Sequence, residues 1–293
     1  MRIPFELAET LAVVVDEGTI DAAARRLHVT PSAVSQRVKA LEERVGNVVL
    51  VRSKPARATA AGAAIVRFAR QLALLEHDAF SEMESAHGAR MTVALAVNAD
   101  SLATWFLAPL ARLAQRHPLV FDLHRDDQDF TAGLLESGTV LGAVTSRDRA
   151  VAGCRVVPLG TMRYEAVATP QYCATWLPDG ATADALAHAP LVDFDRRDDL
   201  QSLWLRRQGV DAAPPRHYVP ASNDFARAVR MGMGWGLLPG LQSSVHVESG
   251  ALVRLGGEPV DVPLYWQQWN LRSPLLELIA AEVVAEGRRV LVV

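Results

Sequence analysis

The chain has 293 residues, 50% of them hydrophobic and 22% charged, enough for two or three packed domains and too apolar for a disordered or collagen-like polymer. Its 30 basic and 33 acidic side chains leave a net charge of -3, which taken whole argues against a nucleic-acid binder. Only Cys154 and Cys173 occur, so a disulfide scaffold is excluded.

The N-terminal stretch MRIPFELAETLAVVVDEG carries Glu6, Glu9, Asp16 and Glu17 within its apolar run, which a signal-peptide core does not tolerate. The longest other apolar run, Met91 to Leu113, is broken by Asn98 and Asp100, short of the roughly 20 residues a membrane helix needs. A soluble cytoplasmic protein without membrane contact is the expectation.

From Pro4 to Val15, Phe5, Leu7, Ala8, Leu11, Val14 and Val15 recur at helical spacing, and Gly18 ends the helix. Thr19 then caps a short helix to Leu27, in which Ala22, Ala23 and Ala24 allow a close neighbour. In HVTPSAVSQRVKALEERVG, Thr30 is the cap acceptor of a third helix and Pro31 takes its first position. Val34, Val38, Leu41 and Val45 face inward, leaving Ser32, Ser35, Gln36, Arg37 and Lys39 outward. Two short helices across a tight turn predict a helix-turn-helix whose exposed hydroxyl, amide and cationic groups suit phosphates and base edges. The next segment, Val48 to Thr59, reads as two short strands around a basic tip with Arg52, Lys54 and Arg57, a wing suited to a phosphate backbone. Taken locally, Thr19 to Arg57 holds eight basic and three acidic residues, a balance of +5 that leaves -8 for the remainder.

Ala61, Ile65, Phe68, Leu72, Leu75 and Ala79 alternate four- and three-residue steps, the seam of a coiled coil pairing with a second subunit. The charged tract Glu76 to Arg90 reads as a hinge. Beyond Met91, strand-like runs alternate with helical ones: MTVALAV, Ser101 to Arg116, LVFDLH, Thr131 to Gly138, VLGAVT, and so on to LYWQQWNL and the amphipathic helix Pro274 to Glu286. That order predicts parallel α/β units, in one large sheet or two lobes.

Asn98, Asp100 and Ser101 stand where a strand gives way to a helix, the usual ligand position of a parallel sheet, although Asp100 is equally suited to capping that helix. Asp126, Asp127, Gln128 and Asp129 follow the next strand with three carboxylates in four residues, a solvated loop or a cation site. Thr145 and Ser146 at a strand end, and Asn223 and Asp224 opening a helix, are further polar candidates or ordinary caps; Asp193 and Asp195 are weaker ones. Gly232, Gly234 and Gly236 have the wrong spacing and context for a dinucleotide fingerprint, and no metal, acyl-transfer or P-loop string occurs, so no catalytic or metal residues and no cofactor are assigned. Trp105, Trp235, Trp266 and Trp269 read as core or lobe-interface residues.

The segment TIDAAARRLHVTPSAVSQRVKALEERVGNVVLVR resembles the winged helix-turn-helix of LysR-type transcriptional regulators, with their A-A-x-x-L turn, S-x-V-S-x-x-V-x-x-L-E recognition helix and G-x-x-L-x-x-R wing. Asn47-Val48-Val49-Leu50-Val51 departs from it, lacking the aromatic many members carry before the wing arginine. The resemblance implies an α/β protein with an N-terminal all-α-type winged domain (1–59), a linker and dimerisation helix with hinge (60–90), and a two-lobed effector domain of periplasmic-binding-protein type (91–293). Its lobe I would comprise 91–161 and 266–293 and its lobe II 162–265. It also implies DNA contact by Thr30, Pro31, Ser32, Ser35, Gln36 and Arg52, with Arg37, Lys39 and Lys54 as additions.

LVRSKPARATAAG, DDQDFTAGLLESGTVLGAVTS, VPLGTMRY, GMGWGLLP and DVPLYWQQW are similar to the LysG/ArgP subgroup, which responds to basic amino acids and activates amino-acid exporter genes. The partners so implied are operator DNA, lysine or arginine, and a second or further copies of the chain, with RNA polymerase a candidate. The rival readings are a ligand-independent architectural or replication-inhibiting DNA binder, and an amino-acid-binding protein or enzyme.

Overall fold

The structure, a computed structural model, describes residues 2–82, 90–125 and 133–292, side chains of 80–82 excepted. The N-terminal unit is three helices and a hairpin: α1 (Phe5–Glu17), α2 (Ile20–Arg26), α3 (Pro31–Val45), β1 (Leu50–Val51) and β2 (Arg57–Ala58). Its boundaries follow from local chemistry. Gly18 closes α1 at φ 70°, Thr19 Oγ1 accepts the Ala22 amide at 3.2 Å, and Thr30 Oγ1 accepts the Ala33 amide at 3.2 Å ahead of Pro31. Leu11, Val14, Ala23, Val34, Leu41 and Val49 are fully buried in one core. Ala23 and Ala24 give α2 the smooth face its neighbours need.

Helix α4 (Ala60–Glu82), 23 residues and roughly 34 Å long, begins in that core and ends in the next. Ile65, Val66 and Ala69 belong to the winged unit, whereas Leu74 is buried in the C-terminal one. This corrects the seam expected from spacing: Ile65 is spent inside its own chain. Phe68, Leu75 and Ala79 remain exposed, with Ala61 and Leu72 half-buried.

In the C-terminal unit, β3 (Met91–Val97) pairs in parallel with β4 (Leu119–Arg125) and β5 (Gly142–Thr145). The expected helix 101–116 is broken at Trp105 into α5 (Ala99–Thr104) and α6 (Leu107–Arg116), because Trp105 and Phe106 turn inward to meet edge-to-face at 5.6 Å. The 15-residue strand β6 (Cys154–Ala168) then pairs antiparallel, over Cys154–Tyr164, with the whole of β11 (Val260–Trp269). Four of the six pairings in this sheet are therefore antiparallel, contrary to the alternation read from sequence.

The end of β11 pairs with β5, and the second half of β6 carries β9 (Gly236–Pro239) and β10 (Val253–Arg254). This second lobe is completed by α7 (Pro170–Trp176), α8 (Ala183–His188), β7 (Leu191–Asp193), α9 (Leu200–Arg207), β8 (Arg216–Tyr218), α10 (Ser222–Arg230) and α11 (Gly240–Glu248). Helix α12 (Pro274–Val290) returns to α6, where Arg112 bonds Glu282 at 3.0 Å and Glu286 at 2.9 Å. The crossing point is marked by a register break at Leu264/Tyr265 opposite Gly160. Gly160 sits at φ 137°, and a Cβ there would lie 2.8 Å from Leu291 Cβ.

Each lobe has an aromatic centre, Trp266, Trp269 and Phe106 in the first and Trp204 with Trp235, 4.9 Å apart, in the second. Trp235, Trp266 and Trp269 are thus core residues, and no described helix is long and apolar enough to cross a membrane.

Candidate functional site

Two surfaces gather the polar residues that the core does not use. The first is on the winged unit. The buried Val34, Val38 and Leu41 fix the rotation of α3, which leaves Ser32, Gln36 and Lys39 exposed and Ser35 half-buried on its opposite side, with Thr30 and Pro31 at its start. Arg37 departs from the expectation: it is ion-paired with Glu6 of α1 and directed back toward the domain. Lys39 pairs loosely with Glu43 at 3.7 Å, a contact of little energy in full solvent.

At the wing, β1 and β2 project Arg52 and Lys54 outward with Arg57 beside them, all exposed. The wing is anchored from behind, since the Ala56 amide bonds Gly18 O at 2.7 Å and Glu42 Oε1 accepts the Val49 amide at 3.0 Å. Recognition helix and wing are thereby held as one rigid cationic surface.

The second surface is where the lobes meet. Strand β3 ends at Asn98, which opens α5, and α5 packs against α10 of the opposite lobe. Asn98 makes no capping bond, and neither does Asp100, whose Oδ2 instead accepts the Tyr164 hydroxyl at 2.7 Å. The capping alternative for Asp100 is thus replaced by a contact to the crossover strand β6. Burial above all, then the charge and hydrogen bond of Asp100 and, least, the charge of Asp198 in the turn before α9, raise the Tyr164 pKa, so the phenol stays protonated. Burial, with Asp193, Asp100 and Asp199 nearby, pushes the Asp198 carboxyl up to about 6.

Asn98 Oδ1, Ser101 Oγ and Gln242 Oε1 are buried at this junction with no hydrogen-bond partner, while Gln242 Nε2 donates to Ser222 Oγ at 3.0 Å. Buried polar atoms are nearly always paired in folded chains, so these three are candidates for contact with a further group.

The remaining expected residues divide. Thr145 is buried and accepts the Arg147 amide at 3.2 Å; Ser146 follows it at the strand end. Asn223 and Asp224 are exposed at the start of α10, so the inward residue of that turn is Ser222. Asp193 is neutralised by Arg216 and Asp195 holds the Arg197 and Asp198 amides at 2.7 and 3.1 Å, which makes both structural. Asp126, Asp127, Gln128 and Asp129 lie outside the described residues.

Sequence reading missed Tyr164, Asp198 and Gln242. The run Asp195-Arg-Arg-Asp-Asp after a strand was the one available signal, and it does not say which carboxylate faces the lobe junction.

A winged helix-turn-helix joined by a long helix to two α/β lobes with a polar junction defines a ligand-responsive DNA-binding regulator. The chain matches the bacterial regulatory helix-turn-helix protein, lysR family, over residues 5–63 and the LysR substrate binding domain over residues 86–288. It belongs to the LysR family of transcriptional regulators, and within it is of the LysG/ArgP type.

It is 40% identical over 284 residues to the lysine export transcriptional regulatory protein LysG of Corynebacterium glutamicum, covering 96% of each chain. The crystal structure of ArgP from Mycobacterium tuberculosis superposes with a TM-score of 0.89 at 44% identity, covering 99% of both chains. The full-length C. glutamicum LysG with bound effector Arg gives a TM-score of 0.81 at 38% identity, over 99% of this chain and 100% of that one. These relatives are transcriptional regulators.

Proposed function

We propose that this regulator binds a basic amino acid, arginine or lysine, between its lobes and in response activates transcription of an amino-acid exporter gene. The observation that carries the reading is the pairing of Asp100 with Tyr164 beside Asp198, one carboxylate from each lobe near a shared phenol. A guanidinium or ammonium group entering there finds two acceptors, and in doing so draws the lobes together. Ser101, Thr145, Ser222 and the backbone at the start of α10 supply donors for an α-carboxylate. Asn98 and Gln242 offer the acceptor oxygens Oδ1 and Oε1 for an α-ammonium.

The C. glutamicum relative's description as a lysine export regulator, and its structure with Arg, support the choice of ligand and target. In this reading Pro31, Ser32, Ser35, Gln36 and Lys39 meet the major groove, and Arg52 and Lys54 meet phosphates, while Phe68, Leu72, Leu75 and Ala79 pair with a second subunit. The amino acid is the only small molecule required, and RNA polymerase contacts the DNA-bound oligomer. A thermal-shift screen of the common amino acids tests the ligand: arginine and lysine should raise the melting temperature and neutral or acidic ones should not. Stabilisation by leucine or glutamate alone would redirect the assignment.

A further inference from the structure

Between the winged core and lobe I, helix α4 presents Arg67 and Arg70 three residues apart, hence on one face. Both reach the same turn of lobe I: Arg67 Nη1 donates to Glu136 O at 3.0 Å and Arg70 Nη1 to Thr139 Oγ1 at 3.4 Å. The second nitrogen of Arg70 is ion-paired with Asp16 in the last turn of α1, and its side chain is only 16% exposed. One guanidinium therefore touches the winged unit and the effector unit at once, from the helix that joins them.

The turn it holds has little freedom. The Ser137 amide bonds Gly133 O at 2.9 Å, the Gly138 amide bonds Leu135 O at 3.0 Å, and Ser137 Oγ lies 2.8 Å from Thr139 Oγ1. Gly138, at φ 71°, has no room for a side chain: a Cβ would lie 2.9 Å from Arg67 Cα on one side and 2.9 Å from Trp269 Cζ2 on the other. Trp269 Nε1 in turn donates to Leu135 O at 3.3 Å. The turn is thus wedged between α4 and β11, and β11 is one of the two strands that carry any rotation of lobe II against lobe I. The same turn leads directly into β5, which ends at Thr145 in the lobe junction.

We propose that Arg70 is the positioning residue through which ligand occupancy of the lobe junction alters the affinity of the winged unit for DNA. A ligand held by Thr145 draws on the end of β5, into which the turn leads, and the packed wedge of Gly138 between Arg67 and Trp269 passes that displacement to α4 rather than absorbing it. Arg70 then keeps either its Thr139 bond or its Asp16 pair in good geometry, so α1 and lobe I are favoured in different relative positions in the two states. Coupling of this kind requires such a differential contact. The proposal rests on the basic-amino-acid reading of the cleft.

The test uses the full chain, L-arginine and a DNA duplex selected from a random pool by the wild-type protein, with Arg70→Met, Asp16→Asn and the double variant. In the wild type, saturating arginine should change the Kd for the duplex by about fivefold or more. Arg70→Met should reduce that change below about twofold while leaving the arginine-induced thermal shift intact, and adding Asp16→Asn should take nothing further away, as expected of two residues acting as one unit. Without arginine, Arg70→Met should speed amide hydrogen exchange in peptides spanning 134–140.

An arginine effect on DNA affinity that survives Arg70→Met, a wild type that binds arginine with no change in DNA affinity, or unchanged exchange in that turn would each overturn the proposal. Failure of arginine to shift the wild-type melting temperature would instead remove the ligand assignment, and the exchange measurement would still decide whether Arg70 docks the turn.

Discussion

Replacing Asp198 by Asn is expected to stabilise the ligand-free protein and weaken its response to arginine. The folded carboxyl titrates near 6 against an ordinary value of 3.8, so between about pH 4 and pH 6 the folded chain keeps a proton that the unfolded chain has lost. Stability therefore falls as pH rises through that window, and above it the ionised group costs the fold its full amount. A shift of about two units sets a ceiling of roughly 3 kcal/mol, and partial solvent exposure reduces this to about 1 to 2 kcal/mol. Asn keeps an oxygen for the Leu200 amide, which Asp198 Oδ1 accepts at 3.1 Å, so the turn before α9 survives the change.

By thermal unfolding from about pH 4.5 to about pH 7.5, the variant should lack the wild-type decline and melt roughly 2–6 °C higher at the upper end. Loss of one carboxylate facing a bound guanidinium should weaken arginine binding about tenfold to a hundredfold. A variant whose pH profile and arginine response both match the wild type would refute the reasoning. A stabilised variant with undiminished arginine binding would show that Asp198 does not face the ligand.

Arg52→Ala should weaken binding to all DNA sequences alike and lower the slope of log K against log salt by about one, as measured by anisotropy titrations at several salt concentrations. Leu75→Glu places a charge on the exposed stripe of α4 beside Phe68 and should shift the chain toward monomer in sedimentation velocity without lowering the stability of either core. Gly142→Ala should destabilise by about 1 to 3 kcal/mol, because the new methyl would lie 2.4 Å from Trp266 Cζ2; an unchanged melting curve would contradict the packing described.

The winged unit was largely legible in the sequence because its boundaries are set by neighbours a few residues apart. Thr30 before Pro31, Gly18 after Val15 and the three- and four-residue steps of α3 act locally, and the structure keeps each of them. The distribution of Ile65 and Leu74 between two cores was not legible, since a heptad stripe looks the same whether it meets its own chain or another. The Arg37–Glu6 ion pair was not legible for a similar reason, Glu6 lying on α1 and far from Arg37 in sequence.

In the lobes the alternation revealed β3 to β5, but β6 hides its length. Pro158 and Gly160 interrupt the apolar run just where the strand crosses between lobes. Asp100, Tyr164 and Asp198 are widely separated in sequence and are brought together only by that crossing. Asp100 alone was recognisable, from its place after a strand.

Footprinting on a duplex selected by the wild-type protein, with and without arginine, tests the central claim most directly. Arginine should change the extent of DNA protected by the oligomer, and lysine should do the same, while leucine and glutamate leave it unchanged. A footprint identical in length and pattern with and without either basic amino acid would contradict it, leaving a DNA-binding protein whose lobes do not control how it engages its operator.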